Sequence, residues 1–163
     1  MRGEMKGIRW YECEKQAAQE RIDYVSRVVG VTFPKSFVNL MRECDGGTLE
    51  KRNFFFYNIS VSFEMGSCIS FFLSFTQTAY EGDNILGFIE SKINHLPEGV
   101  VPFGSNGGGD YICFDYRKDR QELDPEIVYW FRGAPEGKSI SFVAKSFDAF
   151  IEMLHGDDDE DED

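Results

Sequence analysis

The sequence lacks several features that would assign it quickly to a functional class. It has no apolar run near the roughly 20 residues that span a bilayer and no apolar stretch behind its N-terminal Met1–Trp10, so neither an anchor nor a secretory leader is expected. Histidine is scarce, with only His95 and His155, and the cysteines Cys13, Cys44, Cys68 and Cys113 are widely spaced without a C-x-x-C pair. Zinc sites normally draw on closely spaced pairs, so no metal is expected. Four reduced, core-facing thiols and a cytoplasmic location are the corresponding expectations. Lysine and arginine form no cluster. Without a basic patch to displace phosphate counterions, direct nucleic-acid binding is not expected, nor is attachment to an anionic membrane.

What the chain does contain is acid and phenylalanine. Its 163 residues carry 17 basic and 29 acidic side chains, a net charge of −12. Seven of the acids form the terminal run Asp157–Asp163, and without it 17 against 22 leaves a body at −5. A flexible anion of this kind speeds encounter with a basic protein and suits a cationic partner. The 16 phenylalanines supply a large apolar payload for a single core. The length fits one domain, here residues 1–155, followed by a disordered acidic tail at 156–163.

Hydrophobic periodicity predicts the elements. A helix is expected over 10–29, closed by Gly30. A second begins at Pro34, with Phe37, Leu40, Met41 and Cys44 on one face and Gly46-Gly47 as its stop. The aromatic run over 53–59 reads as a strand; either both of its faces are covered, as in a buried strand, or the run Phe54-Phe55-Phe56-Tyr57 leaves an aromatic patch exposed for binding. Ile59, Val61 and Phe63 alternate like a half-buried strand, and Ile69, Phe71, Leu73 and Phe75 repeat the pattern. Asp83 is the expected N-cap of a helix over 83–93. Val100–Phe103 and Tyr111–Tyr116 flank a glycine-rich turn, the mark of a hairpin. Strands at 127–131 and 140–143 follow, then a helix over 146–154 capped by Ser146. This order argues for an α+β fold with a central, mainly antiparallel sheet flanked by helices.

Three segments in this order resemble a known family. The first is Val31-Thr32-Phe33-Pro34-Lys35-Ser36-Phe37, continuing to Asp45-Gly46-Gly47. The second is Val101-Pro102-Phe103-Gly104-Ser105-Asn106, continuing through Gly107-Gly108-Gly109-Asp110 to Asp115. The third is Ile127-Val128-Tyr129-Trp130, with Ala144-Lys145-Ser146-Phe147-Asp148-Ala149-Phe150 after it. Together they are similar to the SUKH superfamily, named after the Smi/Knr cell-wall regulators of fungi. The resemblance implies the α+β fold above. It also implies a role: bacterial members are often immunity proteins that bind a secreted polymorphic toxin, in many cases a nuclease, and so protect the producer. Other members act as regulatory or interaction modules.

No catalytic constellation accompanies these motifs. The Gly104–Asp110 loop leads into a strand and ends in a carboxylate, whereas a phosphate loop opens a helix and ends in Lys and Ser/Thr. Asp110, Asp115, Asp119, Glu122, Asp124 and Glu126 interleave with Arg117, Lys118 and Arg120, the pattern of a solvated, self-paired loop. Neither histidine lies in a nucleophile elbow. The expectation is a non-enzymatic binding protein without cofactor, monomeric or weakly dimeric, facing a basic toxin. An acidic surface would block the cationic groove of a nuclease. The candidate contact residues are Glu64, Tyr80, Glu81, Asp83, Asp119, Glu122 and Asp124, with Tyr57 and Trp130 as aromatic anchors.

Overall fold

Phe37 sits at the middle of the molecule. Its ring centroid lies 5.1 Å from Phe114, 5.3 Å from Phe147 and 5.6 Å from both Phe75 and Phe103. In the computed structural model, which describes residues 7–91 and 95–157, the elements around this cluster run in a simple order. They are β1 (Trp10–Glu12), α1 (Gln19–Val29), α2 (Lys35–Glu43), β2 (Thr48–Leu49), β3 (Asn53–Asn58), β4 (Phe63–Cys68) and β5 (Phe71–Phe72). A 3-10 turn (Glu81–Asp83) leads into α3 (Ile85–Glu90), then β6 (Val100–Ser105), β7 (Tyr111–Asp115), β8 (Glu126–Trp130), β9 (Ile140–Ala144) and α4 (Phe147–Met153). The arrangement is α+β.

Strands β5 to β9 form an antiparallel meander in sequence order. Alternation along the strands gives the sheet two apolar faces. One carries Phe103, Phe114, Ile127 and Tyr129; it is covered by Phe37 of α2, by Phe147 and Phe150 of α4, and by Phe54 and Phe56 of β3. The other carries Tyr111 and Trp130, covered by Phe88 of α3. Cover on both sides is why β6, β7 and β8 are almost wholly buried. Eleven of the sixteen phenylalanines are buried.

The helix ends follow local chemistry. Gly30 takes φ +84° and returns its N–H to the Ser26 carbonyl at 2.8 Å, closing α1. The Ser146 hydroxyl accepts from the Ala149 N–H at 3.1 Å, capping α4.

Several sequence expectations need correcting. The first helix does not begin at residue 10 but at Gln19; residues 10–12 form β1, which pairs with β2 through Trp10↔Leu49 and Glu12↔Thr48. The third helix is capped by Asn84, whose Oδ1 accepts from the Gly87 N–H at 2.7 Å, and not by Asp83; it stops at Glu90, short of the expected 93, because Ser91 is extended. Ile59, Val61 and Phe63 do not line one strand, because residues 59–62 turn the β3–β4 hairpin with Ser62 at φ +63°. The alternation from Ile69 to Phe75 yields only the two-residue strand β5, since Phe72 and Leu73 are both buried. The thiols are not all reduced: Cys13 and Cys44 form a disulfide, while Cys68 and Cys113 are free. The expected acidic tail lies outside the described residues from 158 onward.

Candidate interaction surfaces

The disulfide ties the β1 segment to the end of α2 beside a cleft of about 340 Å³, lined among others by Glu12, Lys15, Asp45, Gly46 and Thr78. Asp45 is the only buried carboxylate among the described residues. Its oxygens accept from the Ser74 hydroxyl at 2.6 Å, the Thr76 hydroxyl at 2.7 Å and the Phe75 and Thr76 N–H groups at 2.8 and 3.2 Å. A carboxylate holding that many donors is committed as an acceptor and fastens the 74–76 segment to the end of α2. It is a structural clamp.

The glycine-rich turn is equally committed. Asn106 Oδ1 accepts from the Gly108 and Asp110 N–H groups at 2.8 and 2.9 Å, so a side chain inside the loop occupies donors that a phosphate would need. The Asp110 carboxylate accepts from the Tyr129 hydroxyl at 2.8 Å and from the Arg132 N–H at 3.1 Å. The Tyr129 hydroxyl in turn accepts from Asn106 Nδ2 at 3.1 Å and lies 3.3 Å from Ser67 Oγ. Burial and the bond to Asp110 push the Tyr129 phenol well above its ordinary range. The loop is a hairpin pinned to β8, as its strand-like flanks predict.

The β3–β4 hairpin has a different character. Register pairs Phe55 with Gly66 and Tyr57 with Glu64, placing these side chains on one face. Phe54 and Phe56 point into the core, while Phe55 and Tyr57 point out, 49% and 55% exposed. The aromatic run therefore has one covered and one open face, the second of the two arrangements that its sequence allows. At one end of the open face the chain returns after α4: Asn53 and His155 exchange backbone hydrogen bonds at 3.0 and 2.9 Å. The His155 ring stacks on Phe55 at 5.1 Å, and Asn53 Nδ2 donates to Asp157 at 2.6 Å.

The expected contact residues fall in three separate places. Glu64 and Tyr57 share the open hairpin face. Tyr80, 74% exposed, and Glu81 and Asp83 belong to the 3-10 turn before α3, on the other side of the sheet near the Tyr111 end of β7. Asp119, Glu122 and Asp124 lie in the loop after β7, beyond Asp115. The five residues of β7 run between these last two groups. Within the loop, Asp119 accepts from the Gln121 N–H at 2.9 Å and Glu122 from the Asp124 N–H at 3.2 Å. Burial, followed by repulsion from Asp148 and Glu122, raises the Asp124 carboxyl. Burial also opposes charge on Asp115, but the fork to Arg117 (both bonds 2.9 Å) prevails and holds that carboxyl below its usual range.

Trp130 is not an exposed anchor. It is 4% exposed and shut between Phe88 and Tyr111, because it shares the inward phase of β8 with Val128 under α3. Phe55, part of the aromatic run but not among the expected contact residues, shares the open face with Tyr57. Its signal is the pleat: in an amphipathic strand, Phe55 and Tyr57 must share a face. The stacking of His155 on that face has no signal in the sequence.

The pinned glycine turn, the clamped Asp45 and the hairpin with one open face belong to an α+β domain whose polar interior is given to structure. The match to the family model places it: over residues 16–153 the chain fits the SMI1 / KNR4 family (SUKH-1), and it belongs to that family. A search of curated proteins found none that matches the chain. Among the described residues, no helix is long and apolar enough to cross a membrane.

Proposed function

We propose that this protein is an immunity protein, which binds a cognate polymorphic toxin and neutralises it by occluding its working surface inside the producing cell. Family membership over residues 16–153 carries the reading. The chemistry is compatible with binding. The buried carboxylate Asp45 and the half-buried Asp110 are both held in structural hydrogen bonds. The net charge of −12 favours a basic partner such as a nuclease, whose cationic groove an acidic protein would cover.

Co-expression with the product of the gene immediately upstream tests this. The expected result is rescue of growth and a 1:1 complex whose association rate falls steeply with ionic strength. Neither rescue nor complex would overturn the immunity reading in favour of a regulatory interaction module, the other role found in the family.

A further inference from the structure

The open face of the β3–β4 hairpin is a row of alternating chemistry. Asp157 is bonded to Asn53 at one end, the Phe55 ring and its stacked His155 come next, and Tyr57 follows beside its cross-strand neighbour Glu64. Two aromatic rings thus lie between two carboxylates. Part of Phe55 is used internally, on His155 and over Gly66, where an added Cβ would stand 3.3 Å from the ring. Tyr57, one pleat further on, is still more open.

Single exposed aromatics need no explanation. Here, though, the rings are bracketed by acids, and the chain continues from Asp157 into six further acidic residues. Arg52, just before the strand, holds its guanidinium over the Tyr11 ring at 5.1 Å. Aromatic faces attract arginine and lysine through the ring quadrupole, and a flanking carboxylate adds a directed ion pair.

We propose that this face, with Phe55, Tyr57, Glu64, His155 and Asp157, is the docking surface for an arginine- or lysine-bearing segment of a protein partner. Cationic side chains lie over Phe55 and Tyr57 and pair with Glu64 and Asp157. The acidic residues beyond Asp157 raise the local concentration of the cationic segment. The inference rests on the immunity reading for there being a dedicated protein partner, and it selects this face over the two acidic loops.

The test uses the full chain and a defined probe, an eight-residue peptide of alternating arginine and valine, with a glutamate–valine peptide as control. Titration followed by amide NMR is expected to give saturable shifts at Phe55, Tyr57, Glu64 and His155 with the arginine peptide alone. Tyr57→Ser with Glu64→Lys is expected to weaken binding at least tenfold while the remaining spectrum stays native. Glu122→Gln with Asp124→Asn is expected to leave it unchanged. Both positions of the first pair are exposed, so folding should survive where Phe55→Ser, which would open the contact with His155, could lose it. Serine at all of 157–163 is expected to reduce both affinity and its salt dependence. Shifts centred on 81–83 or 119–124, or an undiminished affinity in the Tyr57/Glu64 variant, would overturn the proposal.

The same variant separates this inference from the immunity reading. A toxin bound as tightly by the variant as by the wild type would remove the docking face and leave immunity standing. Peptide docking at this face, with no toxin bound in co-expression, would do the reverse.

Discussion

Asp45 and Ser74, 29 residues apart in the chain, meet in the interior with the Ser74 hydroxyl donating to Asp45 Oδ2 at 2.6 Å. The same carboxylate takes the N–H groups of Phe75 and Thr76 and the Thr76 hydroxyl. Asp45→Ala would leave these donors buried without an acceptor. The loss is about 3 kcal/mol, the range for an unpaired buried group next to a charge-assisted bond. Urea unfolding followed by circular dichroism should show the lowered midpoint. Asp45→Asn keeps one acceptor oxygen and should lose less.

The Cys13–Cys44 disulfide spans 31 residues of sequence. Closing such a loop restricts the unfolded chain and contributes at most about 4 kcal/mol on the chain-entropy account. Reductant, or Cys13→Ser, should lower the urea midpoint. Thiol titration in denaturant without reductant should count two thiols, not four. In the native protein both should react slowly, because burial raises the Cys68 and Cys113 pKa values, and the fully enclosed Cys113 should react last.

Gly47 leaves no room for a side chain. An added Cβ would stand 2.5 Å from Cys44 Sγ and 2.6 Å from the Glu12 carbonyl oxygen. The second neighbour is backbone and cannot swing aside, so Gly47→Ala should separate β1 from β2 at a cost of about 1–3 kcal/mol. Hydrogen exchange would locate the damage in residues 10–12 and 48–49.

Asp124 predicts a pH dependence of stability. Burial, then repulsion from Asp148 and Glu122, raises its pKa in the folded state. The folded protein therefore holds this proton more tightly than the unfolded chain, and stability falls as pH rises from the ordinary carboxylate range through the raised value. Asp124→Asn removes that loss. Because the side chain is exposed and screened, the gain at pH 7 should be about 0.5 kcal/mol or less, vanishing near pH 3. Asp115 works in the opposite sense: held low by Arg117, it contributes stability above its unfolded pKa that is lost as pH falls through the folded value. Thermal melts of Asp124→Asn and Asp115→Asn across pH 3 to 8 should separate the two slopes.

Legibility in the sequence followed the range of the interaction. The stop of α1 at Gly30 and the cap of α4 at Ser146 are set by neighbouring residues, and both agree with expectation. So does the β6–β7 hairpin around its glycine turn. Where the expectation failed, a distant partner prevailed. Trp10 reads as helical from its neighbours, yet Leu49 and Phe72 draw it into a strand contact. The thiol of Cys13 lies in an exposed segment, and only the return of α2 brings Cys44 to it.

The contact residues divide in the same way. Composition alone makes the chain acidic and rich in phenylalanine, and the ordered motifs alone place it in its family. Those properties depend on what the residues are and on short spacings along the chain. Which aromatics reach the surface is decided by the tertiary packing: α3 closes over Trp130, while Tyr57 stays exposed. The sequence pattern assigns residues to alternate faces of a strand, but whether a face is buried depends on which distant helix or strand lies against it, and that is settled only when the whole chain has packed.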